Sequence, residues 1–269
     1  MEFGVFYTCY TEKKSVDHSL EVLYGIYPEV PVYLISDGGE DYSDIENKYS
    51  SRGFNLKAFL EEDSRGLIPT FAHREDFHTE EIQKNVFDSV MTFLERVKRA
   101  IDYSDKEFLL VMEPDVLVRG KISNAENHKL LGSRVNTGMS DQIRDVVRSY
   151  PGSIDVNNWG ITPAIFECSA FLKIYEIIKN DEDLLRRLCI SDRRFANYDF
   201  MFAVLFALIG IPESVNNEIV ECFRNPNWET TWHPLVHQYR AKYPLSVEGY
   251  DGTHIVNKHG MGDQWQWSR

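Results

Sequence analysis

The opening stretch of the chain constrains its fold more than any other part, because it reads as strand, helix, strand. Phe3 to Tyr7 is a short apolar run, and Lys14 to Tyr27 carries apolar residues at helical intervals. Val30 to Ser36 is a second apolar run, stopping at Asp37-Gly38-Gly39. A strand, a crossover helix and a further strand predict a β-α-β unit and hence a parallel sheet. Ligands bind such sheets at the carboxyl ends of the strands, which here would carry Thr8, Tyr10, Asp37 and Gly38.

The alternation continues. Asp44 to Tyr49 suggests a short helix and Asn55 to Phe59 a third strand. Ser64 to His78 is a polar loop with Gly66 and Pro69, placed to border a cleft. Ile82 to Ile101 is helix-patterned, with Val86, Val90, Phe93, Leu94, Val97 and Ile101 three or four residues apart, and should pack on the sheet. No GxGxxG follows the first strand and no GxxxxGK[ST] occurs, which sets dinucleotide and P-loop classes aside.

The run Phe108 to Val118 then delivers two carboxylates, Glu113 and Asp115, around Pro114. In extended backbone, positions i and i+2 share a face, so the two side chains can converge at the strand's exit. Mg²⁺ takes only one or two protein carboxylates and fills its remaining positions with water and phosphate oxygens, so the pair suits a divalent clamp for a diphosphate-bearing substrate. The same Glu-Pro-Asp step also suits a solvated turn, since Pro and Asp both favour chain reversal.

Charge narrows the partners. A formal net charge of −13 argues against a general nucleic-acid binder, which would carry a basic face. An anionic nucleotide must therefore be met locally, by a metal ion, a few cationic side chains or a helix start. The four cysteines, Cys9, Cys168, Cys189 and Cys222, have no CxxC spacing and lie mostly in apolar surroundings, which fits a reducing, cytoplasmic setting. The opening residues show no basic stretch followed by a long apolar one, so secretion is not expected. The longest apolar run, Phe200 to Ile211, is well short of the ~20 residues of a membrane helix, so no transmembrane anchor is expected.

Beyond the carboxylates the chain is polar from Ser123 to Ser153, then reads Asn157-Asn158-Trp159-Gly160-Ile161-Thr162. A helix is expected from Ile165 to Lys179, continuing in a second to about Leu188. Asn197-Tyr198-Asp199 precedes an apolar helix from Phe200 to about Leu208, stopped by Gly210 and Pro212. The stretch after Cys222 is irregular and rich in Trp, His, Tyr and Pro. With no repeat or low-complexity linker, 269 residues at 43% hydrophobic are read as one domain, residues 1–269, with a Rossmann-like nucleotide-binding half over 1–122 and an acceptor half over 123–269.

Four features together resemble a GT-A-type nucleotide-sugar-dependent glycosyltransferase, of the soluble kind found in bacteria and large DNA viruses. They are the opening strand with Thr8 and Tyr10, the second strand ending in Asp37-Gly38-Gly39, the Glu113-Pro114-Asp115 step, and Asp199 at a helix start after an Asn-Trp-Gly loop. The usual Asp-x-Asp metal motif of such families carries Glu113 in place of its first Asp. The resemblance implies an α/β GT-A-like fold and transfer of a sugar from a nucleoside-diphosphate sugar to a hydroxyl of a glycan or glycoconjugate. It implies Mn²⁺ or Mg²⁺ held by Asp115 and Glu113, with His259 as a further ligand among His233, His237, His254 and His259. Thr8, Tyr10, Asp37, Gly38, Glu113 and Asp115 would bind the donor, and Asn158 and Trp159 the acceptor. It places the enzyme in the cytoplasm, that of the host if the source is viral.

An inverting transferase needs a carboxylate to take the acceptor's proton. Asp199, between Tyr198 and Phe200, fits, with Asp192 the next candidate; N-capping is an equal reading for Asp199, and a solvated turn or cap is the favoured reading for Asp192. Two other classes stay open: a sugar nucleotidyltransferase, which would carry a Gly-rich basic loop where Thr8-Cys9-Tyr10-Thr11-Glu12 stands, and a non-catalytic glycan- or nucleotide-binding protein.

Overall fold

The structure is a computed structural model that describes residues 1–9, 13–61, 80–113, 118, 121–122, 125–135, 139–156, 159–192, 195 and 198–214. The opening unit forms as its pattern predicts: β1 (Phe3–Cys9), α1 (Lys13–Ile26) and β2 (Val32–Asp37). Then follow α2 (Ser43–Ser50), β3 (Leu56–Glu61), a long α3 (Glu80–Ser104) and β4 (Phe108–Met112). The expected loop from Ser64 to His78 lies outside the described residues.

These four strands pair in parallel, in the order β3-β2-β1-β4. Alternation along each strand divides their side chains between two faces. Phe6, Tyr33, Ile35, Leu109 and Val111 pack under Val86, Val90, Phe93, Leu94 and Val97 of α3. Val5, Tyr7, Val32, Leu34, Leu110 and Met112 join Val16, Leu20 and Leu23 of α1 and Ile45 and Tyr49 of α2 on the other. Burial on both faces explains why β1, β2 and β4 are mainly apolar, whereas the edge strand β3 is mostly exposed or half-exposed and carries Lys57 and Glu61.

The second half departs from the sequence expectation. The polar stretch from Ser123 to Ser153 contains a 3₁₀ turn (Ala125–Asn127), β5 (Leu130–Val135) and α4 (Asp141–Arg148). Ser140 caps α4, its hydroxyl accepting from the Ile143 N–H. Residues Ile165 to Glu167, expected as helix, instead complete β6 (Trp159–Glu167), and the helix α5 begins at Cys168 and runs to Asn180. Helical spacing of apolar residues does continue upstream from α5, but pairing with strands on both sides decides the outcome. β6 inserts between β4 and β5 and runs antiparallel to both, so the six-stranded sheet, order β3-β2-β1-β4-β6-β5, is mostly rather than wholly parallel.

α6 (Glu182–Ser191) and α7 (Tyr198–Leu208) follow. α7 is buried from Met201 to Leu208, and the rings of Phe202 and Phe206 lie against Phe166 of β6 at 5.1 and 5.5 Å. Its all-round apolarity is that of a core helix. Among the described residues no helix is long and apolar enough to cross a membrane.

Candidate functional site

The four parallel strands all end at one edge, and that edge gathers the polar groups. β1 stops at Cys9, β2 at Asp37, β3 at Glu61 and β4 at Met112. Asp37 and Glu61 are register partners, side by side on neighbouring strands. Tyr7 pairs with Met112, so Thr8 and Glu113 come next on the two central strands. Glu113 is therefore the first residue past β4, and it is only 6% exposed. A carboxylate so withdrawn from water at a strand's exit is suited to holding a hard cation or a polar ligand.

Two adjacent carboxylates on the α3 face would repel each other, and α3 supplies the counter-charge. Arg96 donates from Nη2 to Asp37 Oδ1 at 2.8 Å and from Nε to Glu61 Oε2 at 2.6 Å. Arg99, one turn on, donates to the other oxygen of Glu61. Burial alone would raise the Glu61 pKa, but Arg99 and Arg96 outweigh it and hold the carboxyl below its ordinary value. The same residue's carbonyl accepts from the Gly38 N–H at 2.6 Å, fastening the turn after β2 to the end of β3. Gly38 has φ of 67°, a conformation that an L side chain resists, which is why glycine follows Asp37. Asp37 is buried beneath that turn, whereas Gly38 and Gly39 are half-exposed on it.

Sequence reading passed over Arg96 and Glu61, although one signal was legible. Arg96 falls three residues after Phe93 and four before Ala100, inside the apolar stripe of α3, where a charge must find a buried partner.

The other expected site residues divide. Thr8 is half-buried in β1. Trp159 opens β6 opposite Val135, and β6 runs antiparallel to β4, so it enters from the same edge where Glu113 stands. Asp192 ends α6 and is 8% exposed, with its carbonyl accepting from the Phe195 N–H. That burial excludes the solvated turn. Asp199 lies in the first turn of α7, which already includes Tyr198, so the helix starts earlier than expected and the N-cap position falls before Asp199. Tyr10, Asp115, Asn158 and the histidines His233, His237, His254 and His259 lie outside the described residues.

Among the described residues no three His, Cys, Asp or Glu side chains converge as a metal set. Glu113 by itself fits a hard divalent ion as one oxygen ligand. Cys9, Cys168 and Cys189 are buried thiols outside any disulfide, the Cys9 thiol donating to the Ile35 carbonyl at 3.4 Å, and burial pushes those of Cys168 and Cys189 up to about 12.

No family model matches the chain, and no curated protein matches it in sequence. Solved structures with a similar chain course include S. aureus TarS 1–349 in complex with UDP, at 16% identity and a TM-score of 0.40, covering 70% of this chain and 54% of that one. The chain thus spans about half the length of that TarS chain. An active-site mutant of LgtC aligns at 11% identity and a TM-score of 0.45, over 96% of this chain and 95% of the other. Core-mannan synthase A from Aspergillus fumigatus, in a Mn/GDP form, aligns at 7% identity and a TM-score of 0.49, over 81% and 73%.

Proposed function

We propose that the chain is a GT-A-like glycosyltransferase that moves a sugar from a nucleoside-diphosphate sugar to a glycan or glycoconjugate hydroxyl. The observation that carries this reading is the placement of Glu113: buried, immediately past the central strand β4, beside Thr8, on the edge where the Asp37-Gly38-Gly39 turn also lies. In open α/β sheets that edge is where ligands bind.

In this reading Thr8, Tyr10, Asp37 and Gly38 form the nucleoside side of the donor site, and Glu113 with Asp115 forms the diphosphate side. Those two carboxylates, with His259, would hold Mn²⁺ or Mg²⁺. The ion supplies charge stabilisation for the departing diphosphate without any proton transfer. Breaking the bond from the anomeric carbon to the diphosphate oxygen leaves its electron pair on the leaving group. The acceptor hydroxyl forms the new bond and gives up its proton, which Asp199 takes in an inverting reaction, with Asp192 the second candidate. Asn158 and Trp159 would meet the acceptor, the ring lying against a sugar's apolar face and the amide serving its hydroxyls. The site of action is the cytoplasm.

The test is a thermal-shift series with UDP, GDP, TDP and CMP and their sugars, with and without Mn²⁺, since a ligand selective for the native state raises its stability. A Mn²⁺-dependent rise with one diphosphate and its sugar is expected, followed by sugar release in the presence of acceptor or water. A protein stabilised by nucleotide that never cleaves the donor is a binding module instead.

A further inference from the structure

Arg96 is a costly residue for a fold to keep. Its side chain is 2% exposed on the inner stripe of α3, and a guanidinium there must be fully paired to be tolerated. Buried ion pairs are weak sources of stability compared with apolar packing of similar volume, and their best-attested return is a fixed geometry. The geometry fixed here is specific. A single planar fork joins Asp37 and Glu61, the terminal residues of two neighbouring strands, at 2.8 and 2.6 Å. The Gly38 N–H is tied to the Glu61 carbonyl in the same place. These contacts leave the half-exposed backbone of Gly38 and Gly39 as a rigid shelf directly above the buried Asp37. The clamp also lies at the ligand-binding edge of the sheet rather than at the opposite end, where loop closure would need it equally.

Resting on the reading of the chain as a nucleotide-sugar enzyme, we infer that Arg96 is a positioning residue for the nucleoside half of the donor. It acts through Asp37 and Glu61 on the Gly38–Gly39 shelf and touches no substrate itself. The moiety follows from charge and shape. Asp37 and Glu61 are matched by Arg96 and Arg99, so no net positive charge is left under the shelf to draw phosphate oxygens, while a backbone free of side chains admits a flat base or a ribose at close range. Phosphate belongs to the Glu113 end, where a cation can offset its charge. Arg96 therefore governs affinity for base and ribose and leaves affinity for diphosphate unchanged.

The experiment titrates the wild type, Arg96→Lys, Arg96→Gln and Asp37→Asn with UDP, GDP and TDP in the presence of Mn²⁺. Uridine, guanosine, thymidine and inorganic pyrophosphate serve as the separated halves, and circular dichroism checks that each variant is folded. Arg96→Gln should weaken the preferred nucleoside diphosphate and its nucleoside equally, by about tenfold or more, as expected for loss of a charged hydrogen-bonded contact. Pyrophosphate binding should be unchanged. Arg96→Lys keeps the charge but not the fork, so it should fall between, and it carries the test if Arg96→Gln does not fold. Asp37→Asn combined with either Arg96 variant should lose less than the two single losses together. Wild-type nucleotide binding with no loss in the Arg96 variants, or with equal loss for pyrophosphate, overturns the positioning role while the functional reading stands. A wild type that binds no nucleotide overturns both.

Discussion

Gly4 lies against Ser104 so closely that a β-carbon built on it would stand 2.3 Å from Ser104 Cβ and 2.6 Å from Ser104 Oγ. The start of β1 thus passes the end of α3 backbone to side chain, and the sheet keeps contact with its longest helix because residue 4 has no side chain. Gly4→Ala should destabilise the fold by about 1–3 kcal/mol, the range for overpacking a filled interior. Urea unfolding measures this, and adding Ser104→Gly should restore part of the loss. A single mutant with wild-type stability would mean that the two elements separate freely.

Asp181 separates α5 from α6 and caps the latter, its carboxylate accepting from the Leu184 N–H at 2.9 Å. Asp181→Ala should cost about 1 kcal/mol, and Asp181→Ser much less, because a hydroxyl still reaches the orphan donor. The two variants should differ in denaturation midpoint without a change in the slope of the transition.

His18 in α1 is held below its ordinary pKa of 6.5 chiefly by burial, against the opposing pull of Asp17 and Glu21. A histidine whose folded-state pKa is lowered contributes stability that is full above about 6.5 and is lost as pH falls through the folded-state value. Unfolding free energy should therefore decline on acidification from pH 7.5 to 5.5. His18→Gln should flatten that decline, and an identical slope in the variant would remove His18 as its source.

Burial disfavours the thiolates of Cys168 and Cys189, whose pKa values stand at about 12. At pH 8 a thiol reagent should leave the peptides containing them unmodified in the native protein and modify them fully in denaturant, as read by mass spectrometry. Fast native labelling of Cys189 would contradict its placement in the core.

Glu113→Gln keeps the side chain's shape and removes its charge. Under the proposed function it should lower Mn²⁺-dependent nucleotide affinity by at least about tenfold, the scale seen for perturbing metal-supporting groups, and leave metal-free nucleoside binding intact. Asp115→Ala should abolish the metal-dependent part, whereas Asp199→Asn should bind donor normally and fail to transfer. Titration calorimetry and product analysis distinguish the three, and normal turnover in any one of them removes that residue's role.

The first half was legible because most of its elements are buried along their whole length or on one stripe, the edge strand β3 being the exception. Val30 to Ser36 and the opening of the Phe108 to Val118 run read as strands from their apolar residues, and they form β2 (Val32–Asp37) and β4 (Phe108–Met112). β5 was not, because its sequence, Leu-Leu-Gly-Ser-Arg-Val, has too few apolar residues for a strand signal, and it exists through pairing with β6. Ile165 stands three residues before Cys168 and Phe166 four before Ala170, both helical intervals, so the boundary between β6 and α5 is set by neighbours that local pattern does not contain. At the candidate site Asp37, Gly38 and Glu113 were found as the ends of apolar runs. Arg96 was missed because it acts across 59 positions of sequence to reach Asp37.

β1 sits in the middle of the sheet, with β2 on one side and β4 on the other. Its pairing with β2 spans one short crossover, but Phe3 meets Phe108 only after roughly a hundred further residues have been made, which is a large closure to wait for during synthesis. Until then the emerging β-α-β unit carries an open hydrogen-bonding edge of five registered positions, Phe3 to Tyr7, three of them aromatic, of the kind that chaperones shield. Yield of soluble protein should accordingly depend on how quickly translation reaches β4, more than on the equilibrium stability of the finished sheet.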